Sequence, residues 1–375
     1  MSKMRVLVTG ANGFIGKNLV VRLRELSGYE VLTFVRGHDV ALLPGLVAQA
    51  DAIIHLAGEN RPVDEKAFAD VNAGLTLLLC DAIRKELAQS GRKVSLLFAS
   101  STQAERDNPY GRSKRAAELA VEALAQATQN PAVVFRLPGV FGKWCKPNYN
   151  SVVTTFCYNI ARDLPIQVND PAAVLRLVYI DDVVSAFIDG LLLSSEGFSW
   201  GKVLPEYSIS LGELAGQIRA FKDSRDSLMI ESVGDGLVRA LYSTFVSCLP
   251  NEQFCYEIPL YGDERGVFAE MIKTPDCGQF SFFTVHPGVT RGGHYHHTKT
   301  EKFLVVRGQA QFRFRHLLTN ELVDFITTAD RPVVVDTIPG WAHDITNIGE
   351  DDLIVTLWAN EVFDRDHPDT IAFKV

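Results

Sequence analysis

Apolar and polar positions follow one rhythm in the first two thirds of the chain and another in the last third. Up to about Tyr242, compact apolar runs alternate with segments whose apolar residues recur every three to four positions. That alternation predicts strands buried on both faces with amphipathic helices packed over them. Residues 5–9 form the first such strand, and a helix follows through about Leu26. Residues 30–35, 51–58 and 94–102 read as further strands, and a long helix covers roughly residues 63–86. After Glu257 nearly everything is short β-rich runs punctuated by Gly, Pro, Asp and Asn. The change falls at residues 247–252, SCLPNE, a connector containing Pro and Asn. The expected organisation is an α/β, Rossmann-type doubly wound parallel sheet over residues 1–246, a linker at 247–256 and an all-β domain over 257–375.

Composition supports two globular cores: 375 residues, 47% apolar and 22% charged. A formal net charge of −8 lacks the basic face that nucleic acid or an anionic membrane would require, which leaves a small-molecule partner. The six cysteines are scattered with no C-x-x-C spacing, so a reducing compartment is expected. The first residues lead straight into a strand, and no run of about 18 apolar residues occurs, so the expected location is cytoplasmic.

Candidate chemistry begins at Gly10-Ala11-Asn12-Gly13-Phe14-Ile15-Gly16, directly after the first strand and opening the first helix. Gly10 permits the tight turn, Gly13 lets backbone approach a pyrophosphate, Gly16 allows close helix packing, and the helix N-terminus favours negative charge. The second strand ends at Arg36 where an NAD-preferring domain carries an acidic residue, which points to a 2′-phosphate and so to NADPH. Ala57-Gly58 ends the third strand and would let the cofactor pass close to backbone. With Asn72 on the long helix and Lys114, these residues form the candidate dinucleotide site. His55, inside an apolar strand, is expected to be a satisfied core histidine.

Ser100-Ser101-Thr102 close a strand, and Tyr110-Gly111-Arg112-Ser113-Lys114 follows. On a helix Tyr110 and Lys114 share one face. A nearby ammonium favours tyrosinate and is expected to lower the phenol's pKa towards neutrality, making Tyr110 a proton donor or acceptor to a carbonyl oxygen. A strand-end hydroxyl can polarise the same oxygen, Ser101 best, although Ser100 and Thr102 are adjacent. In this order, with Arg136-Leu137-Pro138-Gly139 and Tyr179-Ile180-Asp181-Asp182 later, the segment resembles the extended short-chain dehydrogenase/reductase superfamily. The resemblance covers residues 4–245 and implies a nicotinamide cofactor, Tyr110 as acid/base, Lys114 on the ribose and Ser101 orienting a nucleotide-linked sugar. Residues 143–150, KWCKPNYN, would then be a substrate loop.

The last third gathers seven of the nine histidines. His294 and His296, two apart, leave one face of a strand; Glu301 follows a polar turn, and His343 comes from a later hairpin. Three imidazoles and a carboxylate suit a divalent ion such as zinc, nickel or iron(II). The pattern G-x-H-x-H-x4-E-x6-G followed by P-G-x2-H-x3-N resembles both signature motifs of the cupin superfamily, which implies a jelly roll and a metal, zinc foremost. Residues 261–270 and Arg291-Gly292-Gly293-His294 also look like the deoxysugar-nucleotide 3,5-epimerases, which implies sugar-nucleotide contacts for Arg265 and Glu270. Those epimerases use the histidine of R-G-x-H as a metal-free base, so this chain departs from them at His294.

Reductase first and metal cupin second, the whole chain is similar to the bifunctional capsular polysaccharide synthesis enzymes of the UDP-N-acetyl-L-fucosamine route. That resemblance implies a UDP-linked 4-keto-deoxysugar, epimerised at C3 by the cupin and reduced at C4 by the first domain, to UDP-2-acetamido-2,6-dideoxy-L-talose. A single-function reductase whose cupin binds sugar or drives dimerisation is the alternative, and an iron(II) oxygenase a third. A homodimer is the expected assembly.

Overall fold

The computed structural model of the protein describes residues 3–60, 64–66, 68–193, 195–263, 266–269, 271–272, 278–361 and 366–375. The chain divides into two compact units, Met1–Trp144 with Leu175–Ser208, and Cys145–Val174 with Ile209–Val375.

In the first unit β1 (Met4–Thr9), β2 (Tyr29–Phe34), β3 (Ala52–His55), β4 (Ser95–Ser101) and β5 (Ala132–Leu137) make a parallel sheet. After β6 (Gly139–Phe141) and β7 (Val174–Tyr179) comes β8 (Phe198–Gly201), which completes the strand order β2-β1-β3-β4-β5-β8. Val6, Leu7, Val8, Ile53 and Ile54 are fully buried, as strands covered on both faces require. Leu7, Ile53, Leu96 and Phe98 pack into one core with α2 (Leu43–Gln49), α3 (Leu75–Ser90) and α4 (Pro109–Thr128). On the other face α1 (Phe14–Glu25) packs with α6 (Ile180–Leu193). The chain leaves β1 for β2 on one side and returns to β3 on the other, so the crevice at their carboxyl ends is the ligand site of such a sheet.

His55 is the core histidine expected. Thr76 Oγ donates to Asn72 O at 2.6 Å, so at 2.9 Å it accepts from His55 Nε2, and His55 Nδ1 accepts from Thr9 Oγ at 2.6 Å. Burial, reinforced by the Lys114 charge, pushes its pKa down to about 3 from 6.5. Between those values the unfolded chain binds a proton that the folded chain refuses, so stability falls as pH drops below 6.5. From pH 7.5 to 5.5 the loss assigned to His55 is about 1.4 kcal/mol. Urea unfolding of the protein and of His55→Gln at both pH values checks this; equal pH dependence in the two would contradict it.

The second unit holds α5 (Val152–Ala161), α7 (Leu211–Ser227) and α8 (Gly236–Ser247) together with the β-rich segment. Ser210, at the end of β9 (Tyr207–Ser210), starts α7 with a capping box closed by Glu213. One five-stranded sheet is ordered β10 (Cys255–Glu257), β18 (Val333–Asp336), β15 (Glu301–Arg307), β20 (Leu353–Ala359) and β13 (Gln279–Val285). The other is ordered β17 (Leu322–Thr328), β16 (Gln309–His316), β19 (Trp341–Asn347), β14 (Thr290–Tyr295) and β21 (Ile371–Ala372), and β11 (Leu260–Asp263) pairs with β12 (Gly266–Ala269). This is the antiparallel cupin jelly roll expected beside the parallel sheet.

The boundary differs from the one drawn at residues 247–256. Residues 145–174 and 209–246 group with the β-rich segment. Arg225 on α7 reaches Asp336 on β18, Arg162 Nη1 donates to Cys248 O at 2.6 Å, and Asn360 Nδ2 donates to Val233 O at 3.3 Å. Periodicity marks where helices give way to strands, and compactness depends on which helices the strands bury.

Candidate active sites

Gly10, at φ +70°, turns the chain out of β1; a Cβ there would lie 2.7 Å from Ala57 N at the end of β3. A Cβ on Gly16 would lie 2.3 Å from Gly10 O, so helix and turn touch where only glycine fits. α1 opens at Phe14 and Ile15 with no side-chain cap on its N-terminus, leaving its N–H groups, beside Asn12 and Gly13, to an anion. Asn72 lies in a π-helical turn, Phe68–Gly74; its Oδ1 accepts from Glu59 N at 2.8 Å and its Nδ2 donates to Ser113 Oγ at 2.9 Å. A Cβ on Gly58 would meet Asn72 Oδ1 at 3.0 Å and Lys114 Nζ at 3.2 Å, so glycine brings that backbone against both side chains. The cradle fits a dinucleotide.

Arg36 stands just past the end of β2. Its exposed guanidinium pairs with Glu59 Oε2 at 2.5 Å, so the carboxylate missing from the end of β2 is supplied by the loop after β3.

α4 begins at Pro109 behind an Asn108 cap, which sets Tyr110 and Lys114 one turn apart, Lys114 fully within the protein. Ser100 Oγ donates to the buried Glu118 at 2.6 Å, whereas Ser101 hydrogen-bonds Tyr110. Burial pushes Glu118 up, but hydrogen bonds from Arg136, Ser100 and Arg115 more than offset it and hold the carboxylate low. The expected lowering of the Tyr110 phenol is absent: burial raises it, and the Ser101 hydrogen bond offsets this only in part. Lys114 instead donates to Ala99 O at 3.0 Å, and burial, against the attraction of Glu118, lowers its own pKa to about 8. Desolvation wins over the pair's mutual tuning at both groups.

In the second unit β14 carries a bulge between Gly292 and His294, and the register sets His294 directly across from His343 on β19. His296 follows β14 on the same face, and Glu301 opens β15. One ligand atom from each of His294, His296, Glu301 and His343 lies within 4.8 Å of the others. His296 Nε2 is 3.2 Å and His343 Nε2 is 3.6 Å from Glu301 Oε2, while Lys299 Nζ holds Glu301 Oε1 at 3.0 Å. Burial, with the neighbouring imidazoles, lowers His294 to about 3, and burial lowers His343 against the pull of Glu301. Burial would raise Glu301, yet the adjacent histidines and the Lys299 charge hold it well below the usual carboxylate range. Neutral imidazoles and an ionised carboxylate are the forms that bind a cation. Both ring nitrogens of buried His343 lack a hydrogen-bond partner, and coordination would satisfy one of them. The donor set fits a divalent metal. His294, Glu301 and His343 line a cavity of about 190 Å³ walled by Phe283, Phe303 and Leu357.

Asn347, the last residue of the second cupin-like motif, is structural: its Nδ2 donates to Val285 O and Asp351 O, both at 2.8 Å. Arg265 and Glu270 lie outside the described residues. Pattern reading missed Lys299, whose two-residue spacing to Glu301 on a turn was the available signal, and Asp369, which had none.

Residues 6–192 match the NAD dependent epimerase/dehydratase family and residues 261–371 the polysaccharide biosynthesis C-terminal domain. The UDP-2-acetamido-2,6-beta-L-arabino-hexul-4-ose reductase of Pseudomonas aeruginosa is 54% identical over 375 residues, 99% of each chain. The crystal structure of the capsular polysaccharide assembling protein CapF from Staphylococcus aureus is 39% identical, with TM-score 0.67 over 99% of this chain and all of that one. WbmF of Bordetella bronchiseptica, solved with NAD+, shares the fold at TM-score 0.51 and 22% identity, over 59% of this chain and 78% of its own. The protein is thus an epimerase/dehydratase-type dinucleotide fold joined to a polysaccharide biosynthesis C-terminal domain. Within that class, the chain belongs to the family of the Pseudomonas reductase and CapF. Among the described residues no helix is long and apolar enough to cross a membrane.

Proposed function

We propose that the protein is a bifunctional nucleotide-sugar enzyme. Its cupin epimerises C3 of UDP-2-acetamido-2,6-dideoxy-4-hexulose, and its dinucleotide-binding unit reduces the C4 ketone with NADPH. The product is UDP-2-acetamido-2,6-dideoxy-L-talose for capsule or O-antigen synthesis, and the working assembly is a homodimer. The observation that carries this reading is the presence in one chain of two sites suited to one functional group, a ketone. The C4 ketone in the Pseudomonas relative's name and the capsular role of CapF support the sugar and its destination.

In the first site the nicotinamide supplies hydride to C4. Tyr110 donates the proton to the carbonyl oxygen while Ser101 aligns that oxygen. With its pKa raised by burial the phenol is protonated at neutral pH, the form a donor needs, although the shift makes it a weaker acid. Lys114, with Asn72, stands on the ribose side of the cradle formed by Gly10, Gly13 and Gly16.

In the second site His294, His296, Glu301 and His343 would hold a divalent metal, zinc foremost, and such an ion would supply a Lewis acid for a ketone oxygen, which acidifies the neighbouring C3 hydrogen. Phe283, Phe303 and Leu357 keep water from the sugar ring. At about 190 Å³ the cavity is smaller than a whole-ligand pocket of roughly 300–1,000 Å³, so it takes the sugar and leaves the UDP outside. Reduction removes the ketone that enolisation needs, so epimerisation comes first on any one molecule.

The test is incubation with the 4-ketosugar in heavy water without NADPH, anaerobically, followed by mass spectrometry. Deuterium at C3 is expected, and the 4-alcohol appears once NADPH is added. Reduction without prior exchange would leave a single-function reductase with a binding module.

Cofactor choice has its own test. Arg36→Ala should weaken NADPH by about 10- to 100-fold, the size of a lost charge-assisted bond, and NADH far less. Titration by fluorescence reads both, and equal losses would assign Arg36 to Glu59 alone.

A further inference from the structure

Between His296 and Glu301 the chain makes a turn whose N–H groups point away from the quartet. His297 N, Thr298 N and Lys299 N donate to one carboxylate, Asp369, at 2.8, 2.7 and 2.8 Å, and Thr298 Oγ adds a fourth contact at 3.2 Å. The backbone carbonyl of the same residue accepts a hydrogen bond from His296 Nδ1. Directly afterwards β21 pairs with the histidine strand, Ile371 with Tyr295 and Ala372 with His294, and Phe373 N donates to Gly293 O at 2.8 Å.

We propose that Asp369 is a positioning residue of the metal quartet, and that residues 369–373 are the strap that aims His296 and sets its distance from Glu301. The inference rests on the reading of that quartet as a metal site. A carbonyl oxygen can only accept, so Nδ1 of His296 carries the proton and Nε2 presents its lone pair on the side of Glu301. The Asp369 carboxylate fixes the turn between these two ligands. Without it, three consecutive N–H groups would lose their acceptor, and residues 297–299, between His296 and a Glu301 whose own backbone stays bonded to Thr337, would lose the contact that shapes them. Asp369 is not among the residues that line the cavity at the quartet, so it acts through His296 and Glu301.

The experiment compares full-length protein with Asp369→Ala and Asp369→Asn, each stripped and reloaded. Zinc affinity is measured by chelator competition, and cobalt(II) loading gives a visible spectrum that reports ligand geometry. The unaltered protein should take one ion per chain. Asp369→Ala should bind zinc about 10- to 100-fold more weakly with a changed cobalt spectrum. Asp369→Asn, which keeps one acceptor oxygen, should recover part of both losses, and it carries the test alone if the alanine variant fails to fold. Wild-type affinity and spectrum in both variants would overturn the strap, as would weakening with an unchanged cobalt spectrum and no recovery by asparagine. No metal in the unaltered protein would instead overturn the metal reading itself.

Discussion

Tyr110→Phe lowers NADPH-dependent ketone reduction by about 10²- to 10⁴-fold, the usual contribution of a positioned proton donor, and leaves C3 exchange intact. The substitution removes one oxygen from a half-buried ring that stays beside Phe68, so the fold has little reason to change. The other groups here are poor replacements: Ser100 is bonded to Glu118, Lys114 donates to Ala99 O, and the Ser101 alcohol is a much weaker acid than a phenol. Enolisation needs the ketone and no hydride, and the two-site reading assigns it to the other unit. Tyr110→Phe should therefore still incorporate deuterium at C3 of the 4-ketosugar. A variant that binds metal yet exchanges nothing would end the two-site reading.

The strands and the glycine turn were legible because their signals are local. The apolar run at residues 5–9 followed at once by Gly10, Gly13 and Gly16 has one economical geometry, and the structure adopts it. The metal quartet was legible for a related reason: a two-residue spacing on a strand fixes a face, and a strand pair brings His343 opposite His294. Burial is not local, and there the sequence misled. Spacing placed an ammonium beside a phenol and suggested a lowered phenol pKa. It could not register that helix α4 buries both, which raises Tyr110 and lowers Lys114. Arg36 is similar, since its partner Glu59 comes from a loop far along the chain. Asp369 was invisible because an aspartate bonding three backbone N–H groups of a distant turn carries no pattern of its own.

His343→Ala carries the second large effect, on metal and exchange together. His343 is almost completely buried, faces Glu301 and has no hydrogen-bond partner on either ring nitrogen, which leaves a nitrogen available to a metal. Removing it leaves three ligands and an opened fourth position, and elemental analysis should find far less than one ion per chain. Deuterium incorporation at C3 should fall with it, while slow reduction of the unepimerised ketone at Tyr110 persists. Truncating a buried ring also destabilises the jelly roll by itself, so melting temperature alone would mislead. The comparison that separates the causes is chelation. A bound ion stabilises only the state with its ligands assembled, by about 4 kcal/mol when free metal stands at roughly 1,000 times Kd. Chelator should accordingly lower the melting temperature of the unaltered protein and leave that of His343→Ala where it was. Stoichiometric metal in the variant, or an unaltered protein indifferent to chelator, would remove His343 from the site.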